Sequence, residues 1–94
     1  MQSSASVKAL TPAPLTSAQI RAARALIRWT AEDLARHSTV GVTTIRRAEL
    51  TERETALTRA NDLTIRRTLE DAGVEFIDEN DAGPGVRLRR PSAE

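Results

Sequence analysis

The stretch Thr30-Ala31-Glu32-Asp33-Leu34-Ala35-Arg36-His37-Ser38-Thr39-Val40-Gly41-Val42-Thr43-Thr44-Ile45-Arg46-Arg47-Ala48-Glu49 reads as two short helices joined by a tight turn. The Thr30 hydroxyl can cap the first helix by accepting a backbone N–H of its first turn. Glu32 and Asp33 then lie where the helix dipole favours negative charge. Leu34, Ala35 and Val40 mark the buried side, and Ala35 is small enough for a second helix to cross closely. Ile45 and Ala48, three apart, give the next helix one buried face. Ser38-Thr39-Val40-Gly41 is the turn between them. Two short helices and a turn of about four residues make a helix-turn-helix.

The sequence before this unit predicts a tail and one helix. Residues 1–15 carry Ser3, Ser4, Ser6, Pro12 and Pro14, lack periodicity and read as a flexible tail. Lys8 is its only cation, so it is a passive extension rather than a minor-groove arm. Thr16, with Gln19 three residues on, is a capping box for the first helix. Ile20, Ala23, Leu26 and Ile27 form its apolar face, and Arg21, Arg24 and Arg28 share another side. Trp29, at its end, reads as a core anchor closing the gap between helices.

Downstream of Glu49, the charged run from Leu50 to Leu57 reads as a solvated linker. A further helix is expected from Thr58 or Asn61 to Ala72, with Ala60, Leu63, Ile65, Leu69 and Ala72 as its apolar positions and Gly73 as its stop. Val74 to Asp78 and Val86 to Arg89 are strand-like and flank a segment dense in turn formers, which is a β-hairpin pattern. A lone hairpin is marginal in water and must pack on something. The expected layout is a tail over 1–15, a helix-turn-helix domain over 16–73, a hairpin over 74–90 and a tail over 91–94. The fold class is mainly α, with four or five helices and a short C-terminal hairpin.

Composition removes several functions. The 94 residues contain no cysteine, one histidine and two aromatic residues, Trp29 and Phe76. Thiolate metal sites and Cys nucleophiles are therefore absent, and no cofactor or metal is expected. Single-strand binding on stacked aromatic platforms is disfavoured. No phosphate-cradling glycine loop and no nucleophile–His arrangement is present, so an enzyme is not expected. There is no apolar run of membrane-span length and no signal-peptide pattern, so a cytoplasmic address without membrane contact is expected.

The net charge is only +1, but it is unevenly spread. Six arginines between Arg21 and Arg47 face two acids, whereas Glu49, Glu52, Glu54 and Asp62 outnumber Arg53 and Arg59 further on. One basic face on a near-neutral chain suits double-stranded DNA. The start of the second helix of the pair would enter the major groove. There Val42, Thr43, Arg46 and Arg47 point away from Ile45 and Ala48 and can meet bases: Arg can grip guanine, and Thr and Val can meet a thymine methyl. Arg28, Thr30, Arg36 and Thr44 are candidates for phosphate contacts, which position the protein without reading sequence.

The segment from about Thr16 to Ala72 resembles the XRE family, the Cro/C1-type repressor helix-turn-helix domains. The residues that carry the resemblance are Ile20, Arg24, Thr30, Glu32-Asp33-Leu34-Ala35, Val40, Thr44-Ile45 and Glu49. It implies a lambda-repressor-like bundle, sequence-specific DNA binding and transcription regulation. It also implies a structural ion pair between Arg24 and Glu49. The chain departs from the family pattern at Ala31, where a Gln is usual, at Thr39, where the turn glycine stands, and at Gly41, where a polar cap stands. A homodimer reading an inverted repeat is expected, with the hairpin residues Phe76, Val86 and Leu88 as its contact, because an unpaired strand edge invites pairing. The alternative is an antitoxin or adaptor using the same fold to bind another protein, which the low net charge and Ala31 favour.

Overall fold

The computed structural model describes residues 12–78 and 82–89. Residues 1–11 and 91–94 of the two expected tails lie outside the described residues, as do the hairpin residues 79–81 and 90. Four helices and one hairpin make up the rest: α1 (Ser17–Ile27), α2 (Ala31–Ser38), α3 (Val42–Glu49), α4 (Arg59–Asp71), β1 (Val74–Ile77) and β2 (Gly85–Leu88). Among the described residues no helix is long and apolar enough to cross a membrane.

Side chains close the helix ends. Thr16 accepts the Gln19 N–H at 3.1 Å while Gln19 Oε1 accepts the Thr16 N–H at 2.9 Å, a reciprocal box at the start of α1. Thr58 caps α4 by accepting the Asn61 N–H. Three helix exits are left-handed or glycine-assisted: Arg28 after α1 and Thr39 after α2 have φ near +60°, and Gly73 after α4 has φ 109°. The last is open to glycine and strained for other residues.

One cluster forms the core. Leu15, Ile20, Ala23, Ala31, Leu34, Val40, Ile45, Ile65, Leu69 and Val74 are all buried, with Ile27, Trp29, Leu57, Phe76 and Val86 packed on its margin. Each fully buried Leu or Ile contributes about 1.5–3 kcal/mol by leaving water. Ile65 and Leu69 bury the face of α4, but Ala60 and Ala72, expected on that face, are exposed; Asp62 and Arg66 are buried beside Ile65 and Leu69 instead. Leu26 of α1 is likewise exposed.

The chain ahead of α1 corrects the expected tail boundary. Leu15 is 1 % exposed, its N–H donates to Asp62 Oδ1 at 3.0 Å, and the Ala13 carbonyl accepts from Arg66 Nη2 at 2.8 Å. Pro12–Leu15 is thus a strap across α4, held by an apolar anchor and polar groups far away in sequence. The charged linker after α3 is also tied down. The Ser17 N–H donates to the Arg53 carbonyl at 2.9 Å, the Ser17 hydroxyl donates to the Ala48 carbonyl at 2.7 Å and meets the Thr51 hydroxyl, and Thr55 is buried. Ser17 at the start of α1 satisfies these carbonyls, so the linker is not simply solvated.

The hairpin is antiparallel, with Val74 opposite Leu88 and Phe76 opposite Val86. Gln19 of α1 donates from Nε2 to the Ile77 and Gly85 carbonyls at 3.1 and 3.0 Å, and so staples the hairpin to α1. Phe76 and Val86 face the core, and the Arg66 guanidinium lies 5.3 Å over the Phe76 ring. Phe76 and Val86, two of the three residues expected at a dimer contact, are thus partly buried on the chain's own helices, as a two-stranded sheet must cover one face to be stable. Leu88 alone of the three is exposed.

Candidate nucleic-acid interface

α2 and α3 pack against each other through Leu34, Val40 and Ile45, each buried. At the start of α2, Thr30 and Asp33 bond reciprocally: the Thr30 hydroxyl accepts the Asp33 N–H and Asp33 Oδ2 accepts the Thr30 N–H, at 3.0 and 2.9 Å. The N–H of Thr30, helped by Arg36, holds the Asp33 carboxyl below the usual aspartate range. Thr39 turns the chain out of α2 with φ 62° and ψ 12°, and the Val40 N–H donates to the Ser38 hydroxyl at 3.1 Å. Gly41 precedes α3 and offers no side-chain cap.

The Arg24–Glu49 pair ties α1 to the end of α3. Arg24 Nε and Nη2 each donate to one Glu49 oxygen at 2.7 Å, Nη1 donates to the Trp29 carbonyl at 2.9 Å, and Glu49 is buried. The hydrogen bonds that Arg24 donates to Glu49 raise the pKa of its guanidinium above the usual value against the cost of burial. Arg21 Nη1 donates to the Glu49 carbonyl at 2.6 Å, adding a cation at the C-terminal end of α3. Both arginines therefore hold α3 in place from behind.

The exposed surface of α3 presents Thr43, Arg46 and Arg47. The Arg47 guanidinium has no hydrogen-bond or ion-pair partner among the described residues. Arg46 is different: Nη2 donates to Glu32 Oε2 of α2, an ion pair between two half-exposed side chains. Val42, expected among the base readers, is half-buried against the core because it opens α3 beside Val40, so it is the least available of the four. Among the expected phosphate contacts, Arg28 is exposed and Thr44 is half-buried, while Thr30 commits its hydroxyl oxygen to the cap of α2. Arg36 is exposed but paired with Asp33 at 2.9 Å.

Two features had little or no signal in the sequence. Glu32 and Arg46 stand 14 residues apart on different helices, and no spacing rule links them. His37 is exposed but not merely solvated: its ring stacks on Trp29 at 4.3 Å between centroids and 18° between planes, and Nδ1 lies 2.9 Å from the Asp33 carbonyl. Only the one-turn spacing of Asp33 and His37 hinted at the latter contact.

No protein-family model, no curated protein and no solved structure matches the chain.

Proposed function

We propose that the protein is a sequence-specific double-stranded DNA-binding transcriptional regulator of the XRE type, with a lambda-repressor-like helix-turn-helix domain acting in the cytoplasm as a homodimer. The observation that carries this reading is the exposed face of α3, where Thr43, Arg46 and Arg47 project from a helix braced on its other side by Ile45, Ala48 and the Arg24–Glu49 pair. α3 would enter the major groove, with Arg47 and Arg46 on guanine edges and Thr43 on a thymine methyl. Arg28 and Arg36 would sit on phosphates. Dimerisation would recruit Leu88, an exposed apolar residue of the hairpin.

The test is duplex binding followed against salt. Phosphate contacts predict a steep linear fall of log affinity with log salt. Arg47→Ala should weaken binding to a sequence selected from a randomised duplex pool by about 1–3 kcal/mol while changing affinity for scrambled duplex much less. No duplex binding at low salt, or an unchanged sequence preference, would overturn the reading.

A second reading, an antitoxin or adaptor that grips another protein, is favoured by one observation: Arg46 and Arg36 are each paired with a carboxylate, which lowers the positive potential of the face. Co-purification of a stoichiometric partner, with no duplex binding, would support it.

A further inference from the structure

The hairpin carries an unused edge. The Arg89 N–H donates to the Gly73 carbonyl at 2.8 Å, so by the alternation of an antiparallel ladder the hydrogen-bonded pairs are Glu75–Arg87 and Ile77–Gly85. Val86 and Leu88 therefore turn their N–H and C=O groups away from β1. Among the described residues these four groups have no hydrogen-bond partner. The opposite edge is closed, since Val74 of β1 is 0 % exposed, whereas Leu88 of β2 is 52 % exposed. A cleft of about 270 Å³ adjoins the β2 edge. Ala18 and Ala22 of α1, Glu52 and Arg53 of the linker, and Gly85 and Val86 of β2 border it, and no residue of β1 does. A two-stranded sheet is marginal in water, and a third strand would both extend it and take up the four open groups.

The side chains of this strand decide which strand it takes. Arg87, and Arg89 just beyond the strand, alternate with Val86 and Leu88, so one face of the edge is cationic and the other apolar. β1 already shows the complement. Glu75 lies opposite Arg87, whose Nε and Nη2 donate to its carboxylate at 3.1 and 3.2 Å. Arg87 Nη1 has no partner among the described residues, and Arg89 gives only Nη2, to the Glu70 carbonyl. We propose that the outer edge of β2 is a docking site for an acidic, extended segment of another protein, which adds to the sheet as a third strand with carboxylates opposite Arg87 and Arg89 and apolar side chains beside Val86 and Leu88. Main-chain hydrogen bonds supply the attachment and the alternating side chains the selectivity. A second copy of this chain is a poor occupant. β2 against β2 sets arginines beside arginines, and like charges across strands repel. β1 of a second copy has the right charges, but its edge is covered at Val74 and its head-to-tail contact does not close. A homodimer contact at Leu88 is then made by its side chain and not by strand pairing. The inference does not depend on the DNA-binding reading.

The experiment is amide hydrogen exchange followed by NMR on the full chain. The probe is a blocked peptide of about nine residues in which glutamates alternate with valines between polar ends. Its control carries lysines in place of the glutamates. With the acidic peptide at about ten times its Kd, exchange of the Val86 and Leu88 N–H groups should slow about tenfold. The acidic peptide should bind at least about fivefold more tightly than the lysine peptide, since two cross-strand ion pairs are each worth a factor of about 1.5–5. Leu88→Pro removes one outward N–H and leaves the ladder to β1 intact, because proline is tolerated where an edge N–H faces away from the sheet. It should abolish the slowing at Val86. No slowing at either amide, equal binding of the two peptides, or undiminished slowing at Val86 in Leu88→Pro would overturn the proposal. Slow exchange of both amides without peptide, growing with protein concentration, would assign the edge to a second copy and overturn it as well. The two peptides are compared on the unaltered chain, so that arm holds whether or not Leu88→Pro folds.

Discussion

Glu49 is 8 % exposed, and both its oxygens are taken by Arg24. Removing the carboxylate would leave a guanidinium partly withdrawn from water with its Nε and Nη2 donors unmatched. Breaking a buried pair costs about 3–5 kcal/mol, and the one-fifth exposure of Arg24 places this site at the lower end. Glu49→Ala should therefore lower stability by about 3 kcal/mol, read as a shift of the urea midpoint at unchanged slope. Asp62 presents the opposite case. Its carboxyl is 2 % exposed, accepts the Leu15 N–H through Oδ1, and has no hydrogen bond at Oδ2, which lies 3.6 Å from Arg59 Nη1. Burial pushes it above the usual aspartate range, against the Leu15 N–H and the charges of Arg66 and Arg59. Because the folded form holds this proton more tightly than the unfolded form, Asp62 costs stability at neutral pH, and the cost is relieved as pH falls through its raised value. Comparing wild type with Asp62→Asn by chemical denaturation cancels the opposing acid losses from Glu32, Asp33 and Glu75, whose carboxyls are held low. The wild type should gain on the variant as pH drops from neutrality into the ordinary aspartate range; a constant difference would refute the assignment.

At the scale of elements, the turn between α2 and α3 stands out for its chemistry. Thr39 is a β-branched residue at φ 62°, a conformation in which L-residues crowd their own carbonyl at a cost of about 1–2 kcal/mol. Glycine carries no such cost there, and a glycine C-cap is the common solution. Thr39→Gly should thus stabilise the protein by about 0.5–1 kcal/mol after the larger unfolded-state entropy of glycine is subtracted, measurable as a rise in thermal midpoint. The same turn shows what sequence can convey. The Thr16 and Thr30 caps, the faces built on Ile20, Leu34 and Ile45, and the presence of two hairpin strands are all readable because they depend on neighbours within a few residues. What escaped were encounters across the chain: Glu32 with Arg46, and Ser17 with the linker carbonyls. Neither has a local signature, since each depends on how finished elements are set against one another. The reading surface of α3 was legible as a set of exposed positions; the pairing of Arg46 was not.

For the whole molecule, α1 and the strap ahead of it are the common tie. α1 reaches α3 through Arg24 and Arg21, the linker through Ser17, and the hairpin through Gln19. The strap closes the remaining side by lying over α4. Arg59 Nη2 donates to the Pro12 carbonyl at 2.6 Å, Arg66 Nη2 to the Ala13 carbonyl at 2.8 Å, and the Leu15 N–H to Asp62 at 3.0 Å. A segment that composition marks as tail is therefore a structural part of the domain, and Leu15 is its anchor at 1 % exposure. Leu15→Ala should cost about 2–4 kcal/mol, the range for opening a cavity at a buried leucine, whereas a true tail residue would cost almost nothing. The loss should also spread. With the strap loosened, Asp62 faces water and its proton affinity falls toward the ordinary aspartate value. The pH dependence that distinguishes wild type from Asp62→Asn should accordingly shrink when both are compared in the Leu15→Ala background. Denaturation of the wild type and the three variants across pH measures both effects at once. A cost under about 1 kcal/mol together with an unchanged pH dependence would show that the strap does not close the core.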